Sequence, residues 1–264
     1  MYRSLIDKLR KNTYLEKEEY KLLIENRDKC RDYLFENARQ VRDSVYSRKV
    51  FIRGLIEISN YCKNDCLYCG IRRSNGNASR YRLYEDDILS CVRRGYPLGF
   101  RTFVLQGGED AYYTDEVLCR IISAIKNDFP DCAVTLSLGE RSYESYKALK
   151  TAGADRYLLR HETANKAHYC KLHPPQMSFD NRVQCLRNLK ALGYQTGAGF
   201  MVGTPYQTAD DLAAEFSFLK ELRPEMVGIG PFVPHKDTPF ADFAGGSAEL
   251  TLFILGLVRL TLPH

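Results

Sequence analysis

The residues best suited to carry chemistry are three cysteines on one short segment. Cys62, Cys66 and Cys69 follow the spacing C-x₃-C-x₂-C. Thiolates are soft ligands that hold iron–sulfur clusters or zinc in proteins. Three such ligands can hold three irons of a [4Fe–4S] cube and leave the fourth iron open to an external ligand. The spacing therefore predicts an iron–sulfur centre with one exchangeable coordination site.

Two other interpretations of the triplet stay open. Zinc usually takes four ligands, and no fourth candidate of suitable spacing lies nearby. The three thiols could also be unrelated small residues. The other six of the nine cysteines stand singly, mostly within apolar helical patterns, and nine is an odd number. We therefore expect no disulfide framework and a reducing, cytoplasmic environment.

The segments around the triplet predict alternating strands and helices. After a helical stretch over the first fifty residues, short apolar runs alternate with longer segments of helical periodicity. This order predicts parallel strands with right-handed crossovers, in a βα barrel or an open doubly wound sheet. We predict strands at 55–59, 102–106, 133–138, 156–160, 196–200 and 226–231. We predict helices at 85–96, 115–128, 143–152, 179–192, 210–221 and 249–262.

Polar residues cluster where these predicted strands end, which is where α/β folds place their chemistry. The cysteine triplet follows the first strand, and the segment Gln106-Gly107-Gly108-Glu109 follows the second. Thr135 and Ser137 share one face of the third strand, because strand side chains alternate. We therefore expect these groups to lie near one another at one end of the sheet.

The fourth predicted strand carries unusual charge on one face. Arg156 and Arg160 share that face, and Glu162 continues it. Arginines that point inward are unfavourable unless they are paired or meet an anion, so either an ion pair or an anionic ligand would suit them. His161 points the opposite way, toward the helices, and is predicted to pack or hydrogen-bond rather than to catalyse.

Composition excludes several classes of protein. With 264 residues, 44% hydrophobic and 27% charged, the chain is long and apolar enough for one folded domain. No apolar run is long enough for a membrane span, and the first residues lack the apolar core of a signal peptide. The net charge of +5 is mild and scattered, so no nucleic-acid partner is expected.

With Tyr68 as its aromatic residue, the cysteine triplet resembles the C-x₃-C-x-aromatic-C motif of the radical S-adenosylmethionine (SAM) superfamily. The resemblance implies a [4Fe–4S] cluster on the three cysteines, whose open iron chelates SAM. In that superfamily, one electron cleaves SAM to methionine and a 5′-deoxyadenosyl radical. The Gly-Gly-Glu motif, which binds the SAM amino group, is matched here by Gln106, Gly107, Gly108 and Glu109.

A narrower resemblance, to the HydE family of [FeFe]-hydrogenase maturases, runs from about residue 50 to the end of the chain. Biotin synthase and methylornithine synthase are the enzymes most similar to that family. HydE relatives carry serine where this chain has Gly107, which moves the motif toward the general superfamily form. The resemblance lies in the segments 58–62, 69–73, 81–83, 135–140, 157–165 and 228–232.

The HydE resemblance implies further contacts to SAM. Arg182 would bind the SAM carboxylate, which suits the paired donors of a guanidinium. Ser137, Glu162 and Met201 would also contact SAM, beside Tyr68. Structural roles remain the alternatives. They are a solvated helix residue for Arg182, an ion pair for Glu162, core packing for Met201, packing of the cysteine loop for Tyr68 and a backbone contact for Ser137.

The resemblance also implies a substrate site and a function. Thr135, Arg156 and Arg160 would line a lower cavity that binds a small molecule or iron complex. The function would be radical SAM chemistry in maturation of the hydrogenase H-cluster, inside a barrel that shields the radical. Partners would be an electron donor such as ferredoxin or flavodoxin, and other hydrogenase maturases. The alternatives are another reaction of the biotin synthase or methylornithine synthase type, or a catalytically impaired iron–sulfur fragment.

The length of the chain predicts how many βα units it contains. The predicted strands begin on average about 34 residues apart, so an eight-unit barrel would need roughly 270 residues beyond the first fifty. We therefore expect an N-terminal helical extension over 1–50 and a radical SAM barrel core over 51–264 that holds six of eight units. Within the extension, Thr13 and Glu16 have the spacing of a helix-capping box.

Overall fold

The computed structural model describes residues 1–264 and contains six parallel strands in one open sheet. Each strand pairs with the next along the chain, in the order β1 to β6. The predicted succession of parallel βα units is confirmed. The strands are β1 (Gly54–Ser59), β2 (Thr102–Gly107), β3 (Ala133–Ser137), β4 (Arg156–Leu158), β5 (Gln195–Val202) and β6 (Met226–Pro231).

Ten α-helices accompany the sheet, and the six that were predicted lie within two residues of their expected bounds. The N-terminal stretch divides into three helices, and one short helix before α8 was not predicted. The helices are α1 (Tyr2–Asn12), α2 (Lys17–Glu25), α3 (Arg31–Tyr46), α4 (Glu85–Gly95), α5 (Asp115–Asp128), α6 (Tyr143–Thr151), α7 (Lys166–Leu172), α8 (Phe179–Ala191), α9 (Ala209–Leu222) and α10 (Ala248–Thr261).

The predicted capping box at Thr13 and Glu16 is wrong, since the box lies three residues later. Thr13 ends α1 in the left-handed conformation, with φ 57°, and its hydroxyl accepts a hydrogen bond from Lys220. Glu16 is the N-cap of α2, and it exchanges side-chain and backbone hydrogen bonds with Glu19. The turn between α1 and α2 uses Thr13 as a helix end, so its hydroxyl is not free to begin the next helix.

Strand side chains alternate between a helix-facing side and an inner face. Phe103, Leu105 and Leu136 are buried in the core between the sheet and the helices. Gln106 and Ser137 are register partners at the carboxyl ends of β2 and β3 and belong to the opposite, inner face. The inner face is therefore the side on which the candidate polar residues of β2 and β3 lie.

The N-terminal helices share the core of the βα units. The ring of Tyr20, on α2, stacks on Phe216 of α9 with centroids 4.1 Å apart. The Tyr20 hydroxyl hydrogen-bonds Thr261 of α10 at 2.8 Å. The division into an extension at 1–50 and a core at 51–264 stays a prediction. None of the helices combines the length and apolar character that crossing a membrane requires.

Candidate functional site

The cysteine triplet lies on the loop that follows β1, and three hydrogen bonds from backbone N–H groups fix that loop. Lys63 N–H donates to the Glu109 carbonyl at 3.0 Å, and Leu67 N–H donates to the Leu172 carbonyl at 3.0 Å. Glu109 N–H in turn donates to the Cys62 sulfur at 3.4 Å. The loop is thus held between the segment after β2 and the end of α7.

The three thiols are a donor set that suits an iron–sulfur cube. All three are free and half-buried, yet no three His, Cys, Asp or Glu side chains lie close enough together to hold one metal ion. Thiolates of a cube each ligate a different iron, whereas zinc ligands share one ion. Burial raises the pKa of Cys66 to about 12 and raises that of Cys69, and metal ligation would stabilise the thiolates that burial disfavours.

Gly108 allows the cysteine loop to rest on the segment after β2. A Cβ atom at this position would lie 2.2 Å from the Tyr61 carbonyl oxygen and 2.7 Å from Cys62 Cβ. At Gly107 the nearest atom, the Ser59 carbonyl oxygen, would lie 3.0 Å away. The second glycine of the predicted motif is therefore the one whose lack of a side chain permits the close approach.

Glu109 is held by neighbours on both sides. One carboxylate oxygen accepts the Glu140 N–H at 2.9 Å, and the other pairs with Lys63 at 3.0 Å. A Cβ at Gly139, whose φ is 75°, would meet the Glu109 side chain at 2.1 Å. The Glu109 carboxylate is thus fixed against the loop after β3.

A second anchor of the cysteine loop was missed by the sequence reasoning. Arg82 donates two hydrogen bonds to Asp110, at 2.7 and 2.8 Å, and Ser59 Oγ donates to the same carboxylate at 2.6 Å. The guanidinium also lies over the Tyr61 ring, 4.5 Å from its centroid. Burial raises the pKa of Asp110, but the bonds from Arg82 and Ser59 outweigh it, so this pKa is lowered. The available signal was Asp110 itself, which directly follows the Gly-Gly-Glu segment.

Arg182 is buried and already partly paired. Its Nε donates to a Glu140 oxygen at 2.5 Å, and one Nη donates to the Arg160 carbonyl at 2.9 Å. Glu140 therefore orients the guanidinium that was predicted to meet the SAM carboxylate. Glu140 lies in the resembling segment 135–140, but the resemblance predicts no role for it.

Several buried polar atoms of the inner face lack hydrogen-bond partners. They are Thr135 Oγ1, Arg160 Nε and Nη2, and Glu162 Oε2. Arg160 Nη2 and Glu162 Oε2 lie 3.3 Å apart, at ion-pair distance but without hydrogen-bond geometry. Unpaired buried polar groups are unfavourable, so this set is suited to meet a polar or charged ligand.

Strand β4 ends earlier than predicted, at Leu158 rather than at residue 160. Beyond it, Glu162 forms an isolated parallel bridge with Phe200 of β5, and its N–H donates to the Gly199 carbonyl at 3.0 Å. Glu162 has φ 68°, a left-handed conformation that breaks the regular strand. The predicted face of β4 is therefore continued by a bend and not by further strand.

Met201 and Tyr68 meet in a small apolar cluster beside the cysteine loop. Met201 is buried with Leu172, Phe232 and Phe240, and Tyr68 packs against this cluster. The sulfur of Met177, a residue with no predicted role, lies 3.5 Å from Cys66 Sγ. These contacts join the cysteine loop to β5 and to the segment before α8.

Tyr68 is also hydrogen-bonded to a histidine. His173 Nε2 and the Tyr68 hydroxyl lie 3.1 Å apart, and His173 Nδ1 lies 3.0 Å from the Tyr169 carbonyl oxygen. Burial, with a smaller contribution from Arg182, lowers the pKa of His173 to about 4. His173 is therefore neutral at neutral pH: its Nδ1–H donates to the Tyr169 carbonyl, and its Nε2 accepts a hydrogen bond from the Tyr68 hydroxyl.

This lowered pKa predicts an acid-sensitive step in stability. The unfolded chain protonates His173 near its ordinary pKa of 6.5, but the folded chain does so only near 4. The unfolded state therefore binds more protons as the pH falls from 6.5 to 4, and about 2 kcal/mol of unfolding free energy should be lost between pH 7 and pH 5. Anaerobic urea unfolding of the wild type and of His173→Gln measures this difference. An identical pH dependence in the two proteins would contradict the assignment.

The structure does not bring Arg156 to the other candidates. Arg156 begins β4, and its guanidinium donates to Gln195 at 2.5 Å and to Thr102 at 3.1 Å. It lines a cavity of about 880 Å³ with Arg53 and Arg101, at the amino ends of the strands. Ser137 and Gln106, in contrast, lie at the carboxyl ends with the cysteine loop. Arg156 therefore belongs to the opposite mouth of the sheet.

Comparisons with known proteins agree with this geometry. The model of the radical SAM superfamily matches residues 56–219, which include the cysteine loop, Glu162 and Arg182. The [FeFe] hydrogenase maturase subunit HydE of Thermotoga maritima is 47% identical over 261 residues, 99% of this chain and 74% of that protein. A 3-methylornithine synthase of Methanosarcina acetivorans is 29% identical, over 87% of this chain and 65% of its own length.

Solved structures agree in fold. The structure of methylornithine synthase (PylB) superposes with a TM-score of 0.89 at 27% sequence identity. The superposition covers 98% of this chain and 77% of that protein. The maturase HydG of Carboxydothermus hydrogenoformans gives a TM-score of 0.86 at 24% identity, and this chain spans 63% of it. The parallel sheet, the cysteine loop and the match to the superfamily model together define a radical SAM enzyme. Enzymes of this class use a [4Fe–4S] cluster and SAM. Within this superfamily, the chain belongs to the HydE family of [FeFe]-hydrogenase maturases.

Proposed function

We propose that the chain acts in maturation of the [FeFe]-hydrogenase H-cluster, with Cys62, Cys66 and Cys69 as ligands of its [4Fe–4S] cluster. The observation that carries the proposal is the joint position of this loop and the unpaired polar atoms of the inner face. Bound SAM supplies a 5′-deoxyadenosyl radical after one-electron cleavage. The chain's own residues hold the cluster, bind SAM and orient the substrate.

The proposed SAM site is built from fixed groups around the cysteine loop. Glu109 and the backbone of Gln106, Gly107 and Gly108 face the amino group of SAM. Arg182, oriented by Glu140, meets the SAM carboxylate through a charge-assisted hydrogen bond. Further contacts to SAM come from Tyr68, Ser137, Glu162 and Met201.

The proposed substrate is an anionic small molecule or an iron complex. Thr135 and Arg160 carry buried polar atoms without hydrogen-bond partners on the inner face, and a cation beside a hydroxyl suits an anionic group. Arg156 lies at the amino ends of the strands and would contact only a ligand that extends to that mouth. The substrate assignment therefore rests on Thr135 and Arg160 first.

The proposed partners follow from the same site. Radical SAM chemistry requires a one-electron donor, and we propose a ferredoxin or flavodoxin. The exposed residues Lys63, Arg73, Lys171 and Lys236 lie on or next to segments in contact with the cysteine loop, and they would attract an acidic redox protein. Other hydrogenase maturases, in the cytoplasm, would supply the substrate and receive the product.

Two measurements test the proposal. Anaerobic reconstitution should load about four irons per chain, and reduction with SAM should release 5′-deoxyadenosine. Addition of the chain to a maturation mixture that lacks only a HydE protein should restore hydrogenase activity. Zinc uptake without sulfide, or iron uptake without 5′-deoxyadenosine, would contradict the radical SAM assignment of this chain.

A second candidate function is carbon-skeleton chemistry of the methylornithine synthase type. It is favoured by the TM-score of 0.89 to that enzyme, the higher of the two reported above. The outcome that selects it is release of 5′-deoxyadenosine with no restored hydrogenase activity, together with rearrangement of an amino-acid substrate.

A further inference from the structure

We propose that a buried pair behind the sheet, His161 and Glu215, holds Glu162 in the conformation that turns its carboxylate to the inner face. This positioning role rests on the proposed contact between Glu162 and SAM. The pair lies on the helix side of the sheet, so it would act on the site only through the backbone of residues 161–164.

Glu162 needs such support because its backbone is strained. Its φ of 68° lies in the left-handed region, which side chains other than glycine rarely adopt. Glu162 is only 8% exposed, so no solvent-facing turn explains this conformation. The other non-glycine residues with positive φ are at helix ends or in an exposed loop: Thr13, Ser47, Arg223 and Tyr206.

The pair ties down the chain on both sides of Glu162. His161 Nε2 lies 2.6 Å from Glu215 Oε2, and both side chains are fully buried. Gly199 N–H donates to His161 Nδ1 at 3.2 Å, so the ring proton is on Nε2 and is donated to the carboxylate. The other Glu215 oxygen accepts the Ala164 N–H at 2.8 Å. One carboxylate therefore fixes the residue before Glu162 and the second residue after it.

Helix α9 adds a second attachment on the same face. Asp211 lies one turn before Glu215, and its carboxylate accepts a hydrogen bond from the Asn165 side chain at 2.6 Å. Glu162 N–H donates to the Gly199 carbonyl of β5. The segment 161–165 is thus fastened to α9 and to β5, which leaves the backbone of Glu162 little freedom to relax.

Two aromatic rings pack against His161. The His161 ring lies 4.4 Å from the Phe218 ring centroid and 5.8 Å from that of Phe200. A well-packed apolar pair could fill such a space without burying a charge. A carboxylate with two donors, however, gives directional bonds that an apolar pair cannot, and these bonds determine the path of the chain through Glu162.

The test uses the reconstituted chain and SAM itself. In Glu215→Gln, the amide no longer accepts both hydrogen bonds, and we expect the dissociation constant of SAM to rise about tenfold with unchanged iron content. SAM affinity is measured by titrating the electron paramagnetic resonance spectrum of the reduced cluster. As the matched control, Tyr194→Phe removes a buried hydrogen bond, to the Tyr146 carbonyl at 2.7 Å, and should lower Tm without changing SAM affinity.

A double-mutant cycle separates positioning from general destabilisation. If Glu215 acts through Glu162, then Glu162→Gln combined with Glu215→Gln should bind SAM no more weakly than Glu162→Gln alone. The positioning role would be overturned if the two substitutions raised the dissociation constant of SAM by factors that multiply in the double variant. It would also be overturned if Glu162→Gln bound SAM weakly while Glu215→Gln kept the affinity of the wild type.

A crystal structure of Glu215→Gln tests the clamp independently of SAM. We expect Glu162 to leave the left-handed region, and a retained φ near its present value would overturn the inference. If Glu162→Gln binds SAM normally while the variant backbone has moved, the SAM contact of the proposed function fails and the clamp stands. If Glu215→Gln does not fold, His161→Gln serves for the same measurements.

Discussion

Replacement of Cys66 by serine is expected to abolish cluster binding, with iron falling from about four per chain to less than about one. Serine keeps the size of the side chain but replaces the soft thiolate by a hydroxyl that ligates iron poorly. With two remaining ligands, neither the cube nor its exchangeable iron would be held in place. Release of 5′-deoxyadenosine should fall to the background of the assay. Iron and sulfide analysis after anaerobic reconstitution measures the first effect, and chromatography of the products measures the second.

Cys170 provides the matched control for this experiment. It is a free, exposed cysteine on α7, two residues before Leu172, whose carbonyl holds the cysteine loop. Cys170→Ser should bind as much iron as the wild type and should release as much 5′-deoxyadenosine. Equal loss of iron in both variants, or full iron in Cys66→Ser, would remove Cys66 from the set of cluster ligands.

Replacement of Gly108 by alanine is expected to separate the cysteine loop from the segment after β2. The new methyl group would lie 2.2 Å from the Tyr61 carbonyl oxygen, a distance that only a shift of backbone can relieve. We expect the unfolding free energy to fall by about 2–3 kcal/mol, as for other overpacked sites. SAM affinity should fall as well, because the shift moves Cys62 relative to Glu109. Denaturant unfolding and SAM titration measure the two effects.

The adjacent glycine serves as the control. In Gly107→Ala the nearest atom, the Ser59 carbonyl oxygen, would lie 3.0 Å from the methyl group, so a displacement of a few tenths of an ångström suffices. The expected loss of unfolding free energy is less than about 1 kcal/mol. Losses of similar size in the two variants would mean that the close contact at Gly108 does not determine the geometry of the loop.

Much of the fold could be predicted from the sequence because its signals are local. The helix over 115–128 and the strand over 226–231 have the predicted bounds, since apolar periodicity marks both. The early end of β4 was not predictable. The left-handed conformation of Glu162 interrupts the regular strand, and its isolated bridge to Phe200 on β5 joins residues 38 positions apart, a contact that no local pattern records.

The same distinction between local signals and tertiary contacts applies to the residues of the candidate site. The cysteines and the glutamate of the Gly-Gly-Glu segment stand out by residue type and spacing. The roles of Arg82, Asp110 and Glu140 depend instead on tertiary hydrogen bonds, such as that between Arg182 and Glu140. Apart from Asp110, whose position after the Gly-Gly-Glu segment is a signal, such partners are ordinary charged residues in the sequence, and only the folded chain distinguishes them from a solvated surface.

The order of the strands has a consequence for how the protein is made. Because each strand pairs with the next one along the chain, every βα unit can dock on its predecessor as synthesis proceeds. The cysteine loop gains its contact with Glu109 when the second unit folds, and its contact with Leu172 when α7 has formed. The loop's contacts with Glu109 and Leu172 can therefore form on a nascent chain before β5 has left the ribosome, whereas the contact of Tyr68 with the Met201 cluster can form only afterwards.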